Sequence, residues 1–301
     1  MTVEERLPAR DVLEQAGYTA GVATEGATLV RDGSNIIYRL RDGVVARIGR
    51  PGTEATARLE IQVSNWLQQR SFPAVRAAPA LPQPTVIGDR PITWWNLLPE
   101  HRSATTAELG STLRRLHNLP VPDNFMLPEV DPFKGLESRI SSATILSEVD
   151  RKWLTSMLEG LRVEHSHLPE GLPPTAIHGD AWQGNLAVPQ LPSGESPDPI
   201  LLDFENFGIG RPEWDLISVA VDRTDFERIS ADEYEAFVRS YGGYDATAWQ
   251  GYRTLASIRE LRWTCFILDK ANSSQHAKTE AQHRISCLRG EIPRPWQWKA
   301  F

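Results

Sequence analysis

The side chains of this sequence that are best suited to chemistry lie in two short segments. His178, Asp180 and Asn185 follow one short apolar run, and Asp203 ends a second one. Asn185 and Asp203 offer an amide carbonyl and a carboxylate, hard oxygen ligands of the kind that Mg²⁺ takes alongside substrate phosphates. Asp180 lies five residues before Asn185, where its carboxylate can orient a substrate hydroxyl and accept the proton during phosphoryl transfer. These residue types and their spacing therefore indicate metal-assisted phosphoryl transfer.

The elements that must position these residues begin with a mixed region of helices and strands up to about residue 97. The pattern predicts, in order, a short helix over 10–17, strands within 27–40 and 43–49, a helix over 54–69, and two short strands within 85–98. Asp42-Gly43 separates the first two strand regions, and such a pair between β-rich runs favours a hairpin turn. Residues 1–97 are therefore predicted to form a small α+β domain.

The rest of the chain shows mainly helical spacing of its apolar residues. Helices are predicted over 105–118, 138–165, 226–241 and 247–271. The segment 175–215 interrupts this pattern, because it is rich in Gly, Asn and Asp between short apolar strands and includes a turn-rich connection at 189–199. Residues 98–301 are therefore predicted to form a second, larger and mainly helical domain.

Length and composition describe a folded protein without a membrane segment. The chain has 301 residues, 41% hydrophobic and 24% charged, and none of its apolar runs approaches the roughly 20 residues that span a bilayer. Its first 15 residues are charged throughout and lack the apolar core of a signal peptide, so we expect a cytoplasmic protein. Cys265 and Cys287 cannot form a disulfide framework for this length and are predicted to be reduced packing residues.

Charge is unevenly distributed along the chain. The first 97 residues contain 11 arginines, no lysine and 10 acidic residues, so the net charge of −7 comes from the remainder. A net negative chain is unsuited to bulk electrostatic binding of phosphate backbones, so we expect neither a nucleic acid nor a membrane as a partner. The acidic remainder leaves two explanations open, an ordinary solvated surface and a negative pocket for a cationic substrate.

The polar residues resemble the signature of a known enzyme family. His178-Gly179-Asp180, with an asparagine five residues later and an apolar strand that ends in Asp203-Phe204-Glu205, resembles the aminoglycoside phosphotransferase and choline kinase-like family. The segment 208–216 (GIGRPEWDL) is similar to the Gly-x-Pro-x-x-Asp-Leu segment of that family, and 113–117 is similar to its Leu-x-x-Leu-His helix. Together the matching motifs span roughly residues 25–220.

This resemblance implies both a fold and a set of residue roles. The fold would be α+β and two-lobed, like that of protein kinases, with a small β-rich N-lobe over 1–97 and a larger, mainly helical C-lobe over 98–301. The resemblance implies that Asp180 is the catalytic base, that Asn185 and Asp203 are Mg²⁺ ligands, that Glu205 assists through a second metal or a water, and that Asp215 braces the catalytic loop.

The strand that carries the phosphate-binding lysine of kinases departs from their usual pattern. No lysine precedes Lys134, and the matching strand, 44–48, places Arg47 at the lysine position. The fixed charge and forked donors of arginine suit phosphate well. Glu60, on the helix that follows, is the expected ion-pair partner of Arg47, with Glu54 as the alternative.

Two more segments match nucleotide-binding positions of the family. The loop with Ser34 and Asn35 lies between two strands, where backbone N–H groups and the serine hydroxyl can contact phosphates, although a plain hairpin turn has the same sequence. Residues 94–98 fall where the interlobe hinge belongs, so backbone groups of Asn96 and Leu97 are expected to hydrogen-bond the purine edge. The tryptophans of that segment suit either the nucleotide site or the core.

The resulting prediction is a phosphotransferase that moves the γ-phosphoryl group of ATP (or GTP), with Mg²⁺, to a hydroxyl of an antibiotic-like or metabolite acceptor. Its partners would be a nucleoside triphosphate and this small acceptor, in a monomer or homodimer. Two alternatives stay open: a metal-dependent phosphohydrolase built on the same polar cluster, and a catalytically inactive kinase fold that binds nucleotide. The choice between antibiotic resistance, metabolism and biosynthesis is also left open.

The acceptor is expected to contact the helical part of the second domain. Between residues 222 and 269 this part contains nine acidic side chains, which would suit a cationic acceptor, and interleaved arginines, which are typical of a solvated helix surface. Trp214, Trp249 and Trp263 suit either an apolar wall for an aryl or macrolide-like substrate or the core.

Overall fold

A computed structural model describes residues 7–190 and 197–301, so residues 1–6 and the centre of the predicted 189–199 connection lie outside the described residues. The chain divides into two compact units. Unit 1 comprises Met1–Ala104, Val121–Leu127 and Gln183–Phe207, and unit 2 comprises Thr105–Pro120, Pro128–Trp182 and Gly208–Phe301. The lobe boundary between residues 97 and 98 stays a prediction, and the units do not follow a single boundary because the chain re-enters unit 1 at Gln183.

The strands and α-helices of the described residues have the following bounds. The strands are β1 (Thr28–Asp32), β2 (Ile36–Arg39), β3 (Val44–Ile48), β4 (Thr85–Ile87), β5 (Arg90–Asn96), β6 (His101–Ser103), β7 (Thr175–Ile177), β8 (Leu186–Pro189), β9 (Ile200–Leu201) and β10 (Gly208–Gly210). The helices are α1 (Ala9–Ala20), α2 (Glu54–Gln69), α3 (Thr106–His117), α4 (Leu136–Ser142), α5 (Glu148–Ser166), α6 (Glu213–Thr224), α7 (Ala231–Tyr241), α8 (Tyr252–Ala271) and α9 (Gln275–Leu288). Within the described ranges, no helix is long and apolar enough to cross a membrane.

Unit 1 is built on a five-stranded antiparallel sheet with the order β1-β2-β3-β5-β4. The predicted turn between β2 and β3 is confirmed: Gly43 adopts φ +71°, and the Leu40 N–H donates to the Val44 carbonyl at 2.8 Å. Side chains alternate along β3, so that Ala46 is buried in the core while Arg47 points to the opposite face. This alternation presents one cation on an otherwise apolar strand.

A second sheet of unit 1, with the order β6-β8-β9, positions two of the predicted metal ligands. Leu186 lies opposite Leu201 in the antiparallel pair β8–β9, and the Leu202 N–H donates to the Asn185 carbonyl at 2.9 Å. Asn185 immediately precedes β8, and Asp203 follows β9 after one residue. Antiparallel pairing therefore places these two residues at the same end of the strand pair.

Unit 2 is mainly helical. Helix α3 packs against α7, and α8 packs against α9 and also contacts α4, α5 and α6. The core includes fully buried Leu154, Ile217 and Leu261, from three different helices. The only strand pair among the described residues of this unit is β7–β10, in which Ile177 lies opposite Gly208. This ribbon leads the chain into the segment that begins at His178.

The prediction of one long helix over residues 138–165 is wrong. The segment 138–165 forms two helices, α4 and α5, because the local polar chemistry ends one helix and begins another. The Ser147 hydroxyl accepts a hydrogen bond from the Asp150 N–H and caps the start of α5. The Arg151 guanidinium donates to the carbonyls of Ile140 and of Ala143, the latter at 2.7 Å, and so satisfies the open end of α4.

Other helix boundaries differ from the prediction in the same way. The predicted helix 226–241 begins only at Ala231, because Ser230 and Glu233 form a capping box there. The predicted helix 247–271 begins at Tyr252, and α6 and α9 were not predicted. The helix over 54–69 is confirmed at both ends, and both cysteines are buried and free, as expected.

Candidate active site

Arg47 stands at the centre of a cluster of charged side chains in unit 1. Its guanidinium contacts the Glu60 carboxylate on α2 and the Glu205 carboxylate after β9, and its Nη2 lies 3.6 Å from Asp203 Oδ1. Glu60 is only 4% exposed. Glu54 instead pairs with the exposed Arg58, at 2.9 Å. The structure therefore brings the predicted lysine substitute together with Glu60 and two of the three predicted metal-site residues.

The excess of carboxylates shapes the electrostatics of this cluster. Burial acts to lower the pKa of Arg47, but the charges of Glu60, Glu205 and Asp203 outweigh that effect and raise it. Burial raises the pKa of Glu60 to about 7, and the neighbouring carboxylates act in the same direction, while Arg47 offsets part of this shift. Three carboxylates thus surround one guanidinium, so the cluster has an excess of negative charge that a bound cation would neutralise.

The donors of the predicted metal site fit a hard divalent cation. Asn185 is buried and presents its amide next to β8, whereas the Asp203 side chain is 45% exposed. Asp203 adopts φ +59°, a left-handed conformation that is uncommon for residues other than glycine and that recurs at functional sites. No group of three or more His, Cys, Asp and Glu side chains within the described ranges is arranged as a metal site. The fit to Mg²⁺ therefore rests on few protein oxygens completed by phosphates, which is the coordination this ion prefers.

The loop between β1 and β2 reaches the same cluster. Asn35 donates its side-chain amide to Glu205, and the Arg50 Nε donates to the Ser34 carbonyl at 3.2 Å. The loop thereby brings two arginines near its backbone, one through Glu205 and one directly. Positive charge beside a short polar loop suits a phosphate.

The predicted hinge residues have a more constrained backbone than the sequence suggested. At the end of β5, the Asn96 N–H donates to the Arg76 carbonyl at 2.9 Å and the Leu97 N–H donates to the Gly43 carbonyl at 2.7 Å. Neither N–H is therefore open to a purine edge in this structure. Contact between a purine and these two residues stays a prediction. Such a contact would have to involve groups other than their backbone N–H groups. Trp94 is fully buried in the core of unit 1, as the core alternative expected.

In unit 2, Asp215 holds the segment that carries the predicted base. This fully buried carboxylate accepts hydrogen bonds from the backbone N–H groups of His178 and Gly179, at 2.7 and 2.8 Å. It also contacts His117 Nε2 at 3.0 Å. The Trp214 indole N–H donates to the Gly179 carbonyl at 2.9 Å. These hydrogen bonds fix the backbone just before Asp180 from both sides. Gly179 adopts a φ of +81°, which glycine tolerates because it has no side chain.

Hydrogen bonding decides the charge state of Asp215. Burial acts to raise the pKa of this carboxyl, but the hydrogen bonds and charge of His117 and the backbone of His178 outweigh burial and lower it. Asp215 is therefore an anion that stabilises the loop.

We expect Asp215→Ala to destabilise the protein by about 3–5 kcal/mol, because the substitution removes a buried anion and leaves two buried N–H groups unpaired. Urea unfolding followed by circular dichroism measures this loss. The matched control is Asp269→Ala, which removes a half-exposed ion pair with Arg139 and should change the unfolding free energy by about 0–1 kcal/mol. Equal effects of the two substitutions would contradict a bracing role for Asp215.

A buried arginine on α8 holds Asp180 itself. Arg259 is 1% exposed, and its Nη1 donates to Asp180 Oδ1 at 3.0 Å while Nη2 donates to the Trp214 carbonyl at 3.3 Å. Its guanidinium carbon lies 4.2 Å from the centre of the Trp214 ring. Burial lowers the pKa of Arg259, and the charge of Asp180 opposes that shift. The Asp180 side chain is held by Arg259 and, at 45% exposed, is also accessible to solvent.

Sequence reasoning missed Arg259, which was grouped with the arginines of a solvated helix surface. The missed signal was the pair Arg259-Glu260 between Ile258 and Leu261, because all four of these residues are buried in α8. A helix that is apolar on most of its circumference buries its charges too, and buried charges need partners. Trp214 is also buried, so the core alternative applies to it.

The predicted site residues divide between the two units. Asp180 lies in unit 2, and the others lie in unit 1: Ser34, Asn35, Arg47, Glu60, Asn96, Leu97, Asn185, Asp203 and Glu205. Within unit 1, contacts connect Asn35, Arg47, Glu60, Asp203 and Glu205. Unit 1 thus contains the residues predicted to bind phosphate and metal, and unit 2 contains the predicted base.

Comparison with known proteins identifies the class of enzyme. The model of the phosphotransferase enzyme family (APH) matches residues 27–256, which is most of the chain. The chain belongs to this family. It is therefore a small-molecule kinase, an enzyme that transfers phosphate to hydroxyl groups. No curated protein sequence is significantly similar to it.

Solved structures of kinases share its fold. An amicoumacin kinase, hAmiN, in complex with AMP-PNP, Ca²⁺ and amicoumacin matches with a TM-score of 0.74 at 15% identity, over 97% of this chain and 96% of that one. A microcompartment-associated aminopropanol kinase matches with a TM-score of 0.68 at 19% identity, over 93% and 94%. The aminoglycoside phosphotransferase APH(3'')-Id from Streptomyces rimosus matches with a TM-score of 0.61 at 18% identity, over 85% and 99%. These likenesses confirm the α+β, protein-kinase-like fold class.

The arginine at the lysine position gives a testable prediction. We expect Arg47→Ala to raise the KM for the nucleotide by about 10- to 100-fold, because a charge-assisted phosphate contact is lost. Arg47→Lys, which restores the residue usual in kinases, should recover most of the affinity. Steady-state kinetics at saturating acceptor measures both. Arg58→Ala, an exposed arginine on α2, is the control and should leave KM unchanged. A wild-type KM in Arg47→Ala would contradict the phosphate role.

Proposed function

We propose that this kinase transfers the γ-phosphoryl group of ATP (or GTP) to a hydroxyl of a small acceptor, with Asp180 as base and with Asn185 and Asp203 as ligands of Mg²⁺. The observation that carries this proposal is the Arg47 cluster, in which one guanidinium contacts Glu60 and Glu205 and lies 3.6 Å from Asp203. Such a cluster places a fixed cation beside hard oxygen donors, and phosphoryl transfer requires both.

The cluster accounts for donor binding. Arg47 would contact the α- and β-phosphates, because its donors form a fork that matches phosphate oxygens. Glu60 would hold Arg47 in place from α2. When bound to Asn185 and Asp203, with Glu205 nearby, Mg²⁺ would neutralise negative charge on the phosphates. The loop with Ser34 and Asn35 would contribute backbone donors to the same phosphates.

Asp180 accounts for the transfer step. The oxygen of the acceptor hydroxyl forms a bond to the γ-phosphorus, and the bond from that phosphorus to the β,γ-bridging oxygen breaks. The hydroxyl proton passes to the Asp180 carboxylate, and the nucleoside diphosphate leaves. Arg259 donates to Asp180 Oδ1 at 3.0 Å and so fixes the orientation of the carboxylate that would receive the proton.

The test is nucleoside triphosphate consumption with Mg²⁺ across a panel of acceptors. Because similar structures are named as kinases of amicoumacin and aminopropanol and as an aminoglycoside phosphotransferase, the panel includes peptide-like antibiotics, amino alcohols and aminoglycosides, together with macrolides and sugars. Consumption that depends on the acceptor and disappears in Asp180→Asn is the expected result. Running the assay with ATP and with GTP determines the donor.

Two other outcomes would overturn the proposal. Phosphate release from simple phosphoesters without nucleotide would support the phosphohydrolase. Nucleotide binding without turnover of any acceptor would support an inactive kinase fold. The ion pair of Arg47 with Glu60 argues against that second alternative, since the residue that replaces lysine makes the contact that the family needs.

A further inference from the structure

The acidic side chains that the sequence offered for a cationic acceptor are engaged within unit 2. Between residues 222 and 269, seven of the nine carboxylates have partners in the protein, among them Asp245, which accepts a hydrogen bond from the Tyr234 hydroxyl. Asp225 and Glu260 are buried and pair with Arg253 and Arg294, and Glu233 closes the capping box of α7. The remaining pairs are Asp222 with Arg228, Glu235 with Arg239 and Asp269 with Arg139. These carboxylates are therefore largely neutralised.

The side chains next to Asp180 have the opposite charge. Arg259 and Arg262 lie on one face of α8, three residues apart, and their guanidinium carbons are 4.2 and 5.8 Å from the centre of the Trp214 ring. Arg259 is already paired with Asp180. The wall beside the proposed base therefore includes a second guanidinium within one helical turn of the first.

Arg262 has spare hydrogen-bonding capacity. Its Nη1 donates to the Pro132 carbonyl at 3.0 Å, and a guanidinium has five donors. Among the described residues no carboxylate makes an ion pair with Arg262. Asp180, which pairs with Arg259, and Asp131, which accepts from the Phe133 N–H, act on its charge without a direct contact. Burial and then the charge of Arg259 lower the pKa of Arg262 to about 10, while the charges of Asp180 and Asp131 oppose this shift. Arg262 therefore stays charged at neutral pH without a direct carboxylate contact.

An apolar contact extends the same face of α8. Phe266 follows Arg262 by four residues, which places the two side chains on neighbouring turns, and it is 39% exposed. Lys270 Nζ lies 5.1 Å from the centre of the Phe266 ring on its far side along the helix. The face thus presents a guanidinium, then an aromatic ring, then an ammonium.

We propose that the acceptor of this kinase carries an oxyanion, such as a carboxylate, which Arg262 binds beside Asp180. This inference rests on the proposed function and names its substrate class: a hydroxyl compound with an anionic group, and with an apolar part that contacts Phe266. Arg262 acts as a specificity residue, because a guanidinium with open donors and no carboxylate in direct contact favours an anion over a cation.

The experiment compares acceptors that differ only in charge. One set is 3-phenyllactate, 3-phenyllactamide and 1-amino-3-phenylpropan-2-ol, which share the phenyl ring and the hydroxyl. The other is glycerate, glyceramide and 3-aminopropane-1,2-diol. Nucleotide consumption is measured with the full-length protein, Mg²⁺ and each compound, beside the antibiotic, sugar and amino alcohol panel. We expect turnover to be fastest with the carboxylates, and with 3-phenyllactate above glycerate.

Variants of Arg262 assign the preference to this residue. Arg262→Gln should raise the KM of the carboxylate acceptor by about 10- to 100-fold and change kcat and the nucleotide KM less, whereas Arg262→Lys should recover part of the affinity. Arg239→Gln is the matched control, since it removes an exposed arginine from an ion pair on α7 and should leave all constants unchanged. A change confined to acceptor KM is one that a purely structural role would not produce.

Each remaining outcome overturns a different statement. Turnover of cationic or neutral members, unaffected by Arg262→Gln, overturns the anionic acceptor and leaves the proposed kinase function in place. A rise in nucleotide KM in Arg262→Gln, without a change in acceptor KM, would mean that the oxyanion belongs to the nucleotide, and this too overturns the proposal. An absence of consumption with every compound overturns the proposed function and, with it, this inference.

Discussion

Asp180→Asn is expected to reduce kcat by about 10²- to 10⁴-fold while nucleotide binding stays at the wild-type level. Asparagine keeps a carbonyl oxygen that can accept from Arg259 Nη1, which donates to Asp180 at 3.0 Å, but it removes the carboxylate proposed to take the hydroxyl proton. Isothermal titration calorimetry with the nucleotide and Mg²⁺, beside the kinase assay, measures both quantities. Because Asp180 lies in the unit without the Arg47 cluster, we expect catalysis and donor binding to separate cleanly.

Asp180→Ala is the informative companion of this variant. Alanine leaves the buried Arg259 without its carboxylate, so we expect an additional loss of stability of about 1–3 kcal/mol beyond any loss in Asp180→Asn. If both variants were equally inactive but only Asp180→Ala were destabilised, Asp180 would have two roles, as the base and as the partner that stabilises Arg259. Turnover at the wild-type rate in Asp180→Asn would exclude Asp180 as the base.

The parts of the fold that local sequence chemistry determines could be predicted. The turn at Asp42-Gly43 needs a positive φ, which glycine provides, and helix α2 has apolar side chains at regular helical spacing. The break between α4 and α5 could not be predicted from spacing, since the apolar pattern continues through it. A serine cap and the reach of Arg151 to carbonyls of the preceding helix end α4, and such a contact depends on how the chain folds back.

The candidate site shows the same division. Asp180, Asn185 and Asp203 could be predicted as site residues because their types and spacing match what metal-assisted phosphoryl transfer requires. Arg259 could not, because its partner Asp180 lies 79 residues away and only packing brings them together. The arginine also resembled a surface residue, since its helix contains charges of both signs. Long-range pairing of buried charges is the information that a single sequence lacks.

The structure also explains why arginine can replace lysine at position 47. The planar fork of Arg47 contacts Glu60 and Glu205 together, whereas a lysine ammonium is a compact, strongly hydrated point charge that lacks this fixed geometry. The three carboxylates of the cluster hold the pKa of Arg47 above its ordinary value, so it stays charged when nucleotide is absent. Two of its three carboxylate neighbours, Asp203 and Glu205, also belong to the proposed metal site, which couples the cation on β3 to the segment after β9.

Because Asp203 lies next to Arg47 and belongs to the proposed metal site, its substitution should have a large effect that depends on Mg²⁺. We expect Asp203→Ala to lower turnover of the Mg²⁺–nucleotide by at least about 10²-fold. The substitution removes a proposed Mg²⁺ ligand, and weaker binding of Mg²⁺ would remove positive charge that neutralises the transferred phosphate. Calorimetry with nucleotide in the presence and absence of Mg²⁺ separates the causes. The wild type should bind the nucleotide more tightly with Mg²⁺, and this difference should shrink in Asp203→Ala. The control is Asp89→Ala, an exposed aspartate in the turn between β4 and β5.

Glu205→Gln distinguishes a metal ligand from a mere counterion of Arg47. Asp203 lies 3.6 Å from the guanidinium, whereas Glu205 contacts it directly, so loss of a counterion should be worse in Glu205→Gln and loss of a metal ligand worse in Asp203→Ala. The ratio of nucleotide affinities with and without Mg²⁺ decides between them. Unimpaired turnover in Asp203→Ala would remove this residue from the metal site. A larger loss of the Mg²⁺ effect in Glu205→Gln would instead assign the principal ligand to Glu205, two residues further along the same loop.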